Sequence, residues 1–382
     1  MAAFRKATLA GRAALLLLTA GVAGCSLFGS TEHVIPPLKS DASLRQLSPR
    51  WHVDFSDSGI PLAPGVSDGR VYVARTSGDL EALDATSGSV LWKGSVNTRL
   101  SGGVGAGAHH VALGTQTGQV ILFDEDGHEQ WRMATGGSAI SAPPLISDDV
   151  VVARTGDGKL LGLDLATGKR RWMLERSLPP LTLYRASSAT AGRGALFLAM
   201  PGGKLLALTT DKGKVGWEAV VAIPRGATEL ERVADVTGTP VTGERDVCAA
   251  SYQGRVACFD ASTGNPLWSR ETSSVSGLAA DSGRVYVGDE KGVVSAWDRT
   301  TGSPAWKNDT LSGRRLIGAV AAAGTVVTGD LQGYVHWLER SDGKLVARGA
   351  TDGSSLNQQP VFLGDGVLVQ TRDGGLYAFP MP

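Results

Sequence analysis

The sequence predicts an all-β chain: an eight-bladed β-propeller of four-stranded antiparallel blades, its ring closed by an N-terminal strand. Three observations carry the prediction. A unit of about forty residues recurs through residues 48–382, and a tryptophan returns at a nearly fixed place in the unit. The last unit also lacks one strand, which the start of the chain can supply.

The clearest copy of the unit runs from Gly69 to Trp92, and the copy from Gly283 to Trp306 matches it closely. Val71-Tyr72-Val73 and Leu80-Glu81-Ala82-Leu83 are short β-branched or apolar runs bounded by turn residues, and they read as strands. Ser77-Gly78 is a tight hairpin, where glycine tolerates positive φ. Asp84 to Gly88 is a second turn, closed by side chains that bond nearby backbone, and a further strand ends on Trp92. With the strand before Gly69, each unit holds four strands, one blade.

The hairpin glycine occurs eight times: Gly78, Gly118, Gly158, Gly203, Gly254, Gly292, Gly333 and Gly374. Trp92, Trp172, Trp217, Trp268 and Trp306 stand fourteen residues after it, and Trp131 stands thirteen. The seventh copy has Ala347 in that slot. The eighth would place its tryptophan at 388, beyond the end at Pro382, but Trp51 stands one repeat before Trp92. The strand around Trp51 is therefore expected to complete the last blade and remove an open sheet edge. The seven tryptophans read as packing anchors. Small residues at Ala82, Gly162, Ala207, Ala296 and Ala378 are expected to leave room for a neighbouring blade.

Ahead of the repeats, residues 1–24 read as an export signal. Arg5, Lys6 and Arg12 precede an apolar run centred on Leu15–Leu18, too short for the roughly 20 residues of a bilayer-spanning helix. The run ends in Val22-Ala23-Gly24-Cys25-Ser26, which resembles a bacterial lipobox with Cys25 as the lipidated residue. Serine after the cysteine resembles the pattern sorted to the outer membrane. Multiple acyl chains suffice for stable anchoring, so the expected contact with the membrane is through this end alone. Residues 25–47, polar and broken by Pro36-Pro37, read as a flexible tether to a propeller over residues 48–382. The chain has 37 basic and 37 acidic residues, and the leader holds three of the basic ones and no acidic one. The exported chain is thus slightly acidic, which argues against a nucleic-acid partner.

The element Ala-x-Asp-x-x-Thr-Gly-x-x-x-Trp, complete at Ala296 to Trp306, resembles the tryptophan-docking repeat of quinoprotein-type propellers. Together with the lipobox, the eight repeats and the length, it resembles the BamB family of outer-membrane protein assembly factors. That resemblance implies a non-enzymatic scaffold of the barrel assembly machinery. It would face the periplasm, dock the POTRA domains of the central barrel subunit, and offer edges to unfolded outer-membrane clients. Excess residues over the repeat fall in two places, between Trp172 and Gly203 and between Trp217 and Gly254. Both resemble family segments implicated in docking. The first matches at Leu181 and Leu183, with Tyr184 standing before Arg185; the second contains Arg232, matches at Asp235, and has Thr237 where some relatives carry a second aspartate. Long connections are usually functional or disordered, and both of these are expected on one face of adjacent blades.

The enzymatic rival is a quinoprotein dehydrogenase using PQQ, or a sensor on the same fold. Such enzymes resemble longer chains with an adjacent cysteine pair, which is missing here. Asp84, Asp124, Asp164, Asp260 and Asp298 recur at one repeat position and read as turn residues, not a metal cluster. The six histidines form no His-Glu-x-x-His pattern, and His109 and His110 read as neighbours on a strand. No cofactor and no catalytic residue is therefore expected. Cys248 and Cys258 flank one hairpin and could form a cross-strand disulfide, but two buried free thiols are the favoured reading.

Overall fold

A computed structural model describes residues 35–38, 41–55, 61–183, 188–356 and 358–382. Cys25 and the leader, like Tyr184 and Arg185, lie outside the described residues. Among the described residues from 38 onward the chain forms eight β-sheets, one for each repeat, each built on four antiparallel strands.

The first blade shows why the repeat folds as it does. Strands β3 (Gly65–Ser67), β4 (Arg70–Ala74), β5 (Asp79–Asp84) and β6 (Val90–Ser95) pair in chain order. The two middle strands are buried on both faces because each face meets another blade, so the apolar runs do not alternate. Gly78 closes the hairpin at φ +111. Asp84 closes the next turn by accepting from the Thr86 and Ser87 amides and the Ser87 hydroxyl. The same device recurs at Asp124, Asp164, Asp260 and Asp298. Bonds from Thr167 and Arg171 hold the Asp164 carboxyl near 2, and those from Ser262 and Thr263 do the same for Asp260. These aspartates are ionised turn closers.

Closure follows the sequence prediction. Strand β2 (Trp51–Asp54) pairs antiparallel with Gly375–Pro380, placing Trp51 opposite Ala378. Arg50 secures the joint with two bonds to Asp365, at 2.5 and 2.8 Å. The eighth blade is therefore made of both ends of the chain.

The tryptophans work across blades. Each indole N–H donates to a turn carbonyl of the next blade: Trp51 to Ala85, Trp92 to Glu125, Trp131 to Leu165, Trp172 to Thr210, Trp217 to Ala261, Trp268 to Arg299 and Trp306 to Arg340, at 2.7–3.1 Å. The indole lies on the glycine of that same turn, as Trp51 lies on Gly88. Ala82, Ala207, Ala296 and Ala378 line the seam with the adjoining blade, as expected, in shared apolar clusters. They and Gly162 also stand opposite the tryptophan of their own blade, so the room they leave is shared with their own indole.

Blade seven inverts this pair: Trp337 is on the third strand and Ala347 on the fourth. Trp337 packs edge-on against Phe379 of blade eight, ring centroids 5.6 Å apart. The reason lies in the closure. Blade eight takes its fourth strand, β2, from the N-terminal part of the chain, so its third and fourth strands are not joined by the turn that receives an indole in the other blades.

Three readings need correction. Arg45–Leu47, assigned to the tether, form strand β1, which pairs parallel with the blade-seven strand Leu345–Ala350. Cys248 and Cys258 are disulfide-bonded rather than free, because the hairpin register sets them directly opposite. His109 sits in a turn at φ 59, not on a strand beside His110, and bonds Glu125.

Candidate docking surface

Alternating strand directions put two kinds of connection at the same end of the ring: the hairpins at the repeated glycines, and the links from each outer strand to the next inner strand. Both enlarged links are of the second kind. They follow the outer strands Arg170–Glu175 and Val215–Val220 of blades three and four, so they rise at one end of adjacent blades.

The first link carries Leu178, Pro179, Pro180 and Leu181, with Leu181 47% exposed and Leu183 half-buried. Beside its start, a cleft of about 330 Å³ is lined by Arg176, Leu178, Met200, Lys204 and Glu218. Glu218 is shared there by Arg176 at 3.0 Å and Lys204 at 2.7 Å.

The second link is built around one helical turn. Glu231 accepts from the Ala227 and Thr228 amides at 2.8 and 3.1 Å, and the Thr228 hydroxyl accepts from the Glu231 amide at 3.3 Å. This reciprocal pairing is a capping box. It props Leu230 outward, 73% exposed, and Ile223 of the same link is 56% exposed. Arg232 is exposed, but its guanidinium is drawn back to the Gly226 carbonyl and to Glu229. Leu230 and Ile223 were not singled out from the sequence. The Thr228-x-x-Glu231 spacing was the available signal, since a capped turn fixes which side chains face outward.

Asp235 and Thr237 are placed differently from the rest. Asp235 is 5% and Thr237 4% exposed. Thr237 turns inward and donates to the Ser274 carbonyl at 2.8 Å, tying blade five to blade six. Asp235 accepts from the Leu183 amide at 2.6 Å and the Gly202 amide at 2.9 Å. It thereby joins the two enlarged links and the blade-four hairpin. Arg154, whose guanidinium burial presses downward in pKa, feels the opposing charge of Asp235 and donates to the Ala199 carbonyl. The structure thus brings Leu181, Leu183, Arg232 and Asp235 to one end of blades three to five.

Among the described residues, three potential metal ligands converge only at Asp246, Cys248 and Cys258. There the sulfurs are bonded to each other, and both Asp246 oxygens are taken by Arg299. That arrangement suits a brace between blades five and six, not a metal.

The model of a family described as outer membrane protein assembly factor BamB matches residues 42–99 and 76–308. A protein of that name from Nitrosomonas eutropha is 41% identical over 382 residues, spanning 96% of this chain and 93% of its own. The crystal structure of BamB from Moraxella catarrhalis superposes with a TM-score of 0.78 at 27% identity, covering 88% of this chain and all of that one. A quinohemoprotein alcohol dehydrogenase from Pseudomonas putida HK5 superposes at 0.66 with 16% identity, a likeness of fold alone.

Proposed function

Because the chain belongs to the BamB family of outer membrane protein assembly factors, a family of scaffolds and not enzymes, we propose that it docks the POTRA domains of the machinery's barrel subunit through the end of blades three to five. The observation that carries this reading is the pairing of the two enlarged links by Asp235, with Leu181, Ile223 and Leu230 exposed around them. Clustered exposed apolar side chains mark protein contact sites, and tyrosine and arginine are among the residue types enriched at contact hot spots. Tyr184 and Arg185 extend the same segment in sequence. Unfolded outer-membrane clients are a second, weaker partner class, met at the same scaffold.

Anchoring is assigned to lipid on Cys25, with the propeller facing the periplasm; the sequence Ala23-Gly24-Cys25-Ser26 supports it. No cofactor enters this function.

Leu183→Ala with Arg185→Ala tests the surface. The pair is expected to cost at least ~2 kcal/mol of affinity for the isolated POTRA domains, roughly a thirtyfold rise in Kd. Calorimetry reads the affinity, and circular dichroism confirms the fold. An unchanged Kd in a folded variant removes the docking surface from this end of the ring.

A further inference from the structure

We propose that Asp235 is a positioning residue: it shapes the docking face from beneath and does not itself touch the partner. This rests on the docking reading above and assigns the aspartate a different part in it.

A carboxylate has two oxygens, and both are engaged by the chain's own backbone. Oδ2 receives the Leu183 amide from the link between blades three and four. Oδ1 receives the Gly202 amide from the blade-four hairpin. The Asp235 backbone is tied as well, its carbonyl accepting from the Tyr252 amide of the blade-five hairpin at 2.9 Å. One residue therefore fastens pieces of three structural units, and its side chain is nearly closed to solvent.

The Leu183 amide matters because it stands outside any strand. A link of that length has no ladder to hold it, and its apolar side chains gain nothing from being exposed unless a partner covers them. A fixed acceptor at Leu183 restricts the backbone that carries Leu181 and Leu183 before any partner arrives. Binding then loses less conformational freedom, the physical content of preorganisation. Arg154, reaching from blade three towards the same carboxylate, keeps a negative charge tolerable at this depth. The geometry thus gives Arg154 a supporting part.

The test begins with the unaltered full chain. The Leu183 and Gly202 amides should exchange hydrogen slowly in the absence of any partner, although the surrounding link is exposed. Fast exchange at Leu183 overturns the proposal without any variant. Asp235→Asn is the informative substitution, because it keeps the shape but supplies one acceptor oxygen in place of two. It is expected to speed exchange at Leu183 or Gly202 at least tenfold and raise the Kd for the isolated POTRA domains at least tenfold, with little change in Tm. A photocrosslinking residue at 181 should capture those domains, and one at 235 should not. Unchanged exchange in Asp235→Asn, or crosslinking from 235, overturns the proposal. So does faster exchange with unaltered Kd, provided Leu183→Ala with Arg185→Ala still weakens binding. If that surface pair leaves Kd unaltered, the docking reading has failed, and Asp235 loses its part in docking with it.

Discussion

Trp51→Ala is the most searching perturbation of the ring, since Trp51 joins the last blade to the first. Its indole is 8% exposed, donates to the Ala85 carbonyl at 3.1 Å, and lies on Gly88. Removing a buried tryptophan costs about 3–5 kcal/mol through lost transfer energy and the cavity left behind. At roughly 2–4 °C per kcal/mol for a domain of this order, Tm should fall by about 10 °C. Trp51→Phe keeps much of the packing and loses the N–H bond, so a loss of about 1–2 kcal/mol is expected. Gly88→Ala approaches the contact from the other side. Its φ of +72 strains any Cβ by roughly 1–2 kcal/mol. That Cβ would also lie 2.6 Å from the indole Cδ2, adding about 1–3 kcal/mol of overpacking. In the Trp51→Ala background the clash disappears and only strain remains. The two substitutions should therefore be non-additive by about 1–3 kcal/mol, read from urea denaturation of the four-member cycle. Strict additivity would refute direct docking of Trp51 on Gly88, and with it the account of closure.

Two further outcomes follow from the buried polar groups. His336 is fully buried, and burial holds its pKa below the ordinary 6.5, against the pull of Asp330 at 2.8 Å. The folded state then binds fewer protons than the unfolded state below pH 6.5. Stability should be full above that pH and fall by up to ~1.4 kcal/mol per pH unit beneath it. Denaturation at stepped pH reads this, and an equal acid slope in His336→Gln would remove His336 as its source. The Cys248–Cys258 disulfide closes a loop of sequence separation 10. Replacing both cysteines by alanine is expected to cost about 2–3 kcal/mol. Mass spectrometry of the untreated protein that finds two free thiols would contradict the bond itself.

Much of this fold was legible because the repeat reports local chemistry. Eight hairpin glycines gave eight blades, since each depends only on residues within one unit, and Trp51 gave the closure because it stands one repeat before Trp92 with no strands of its own unit ahead of it. The exception at Ala347 was legible as a departure but not as a consequence. Its cause is that blade eight has no turn joining its third and fourth strands, because the fourth strand comes from the other end of the polypeptide. The disulfide depended on register: sliding the hairpin by one residue would set Cys248 and Cys258 on opposite faces. The docking segments were found by excess length, yet length says nothing of depth. Asp235 and Thr237 looked like surface residues in sequence, and they are buried because Leu183, Gly202 and Ser274 arrive from distant positions to meet them. Leu230 was overlooked because a single capped turn has no periodicity to reveal it.

Strand β1 gives the ring a mechanical property. Tension along the chain from before residue 41 reaches β1 first, and β2 only after β1 has let go. Strand β1 is held by three parallel residue pairs, whereas β2 is backed by the Trp51 indole and the doubled Arg50–Asp365 contact. The weaker attachment stands upstream of the stronger one. Under the lipid anchoring proposed at Cys25, a pull on that end would first peel three residues from the rim of blade seven while the ring stays shut.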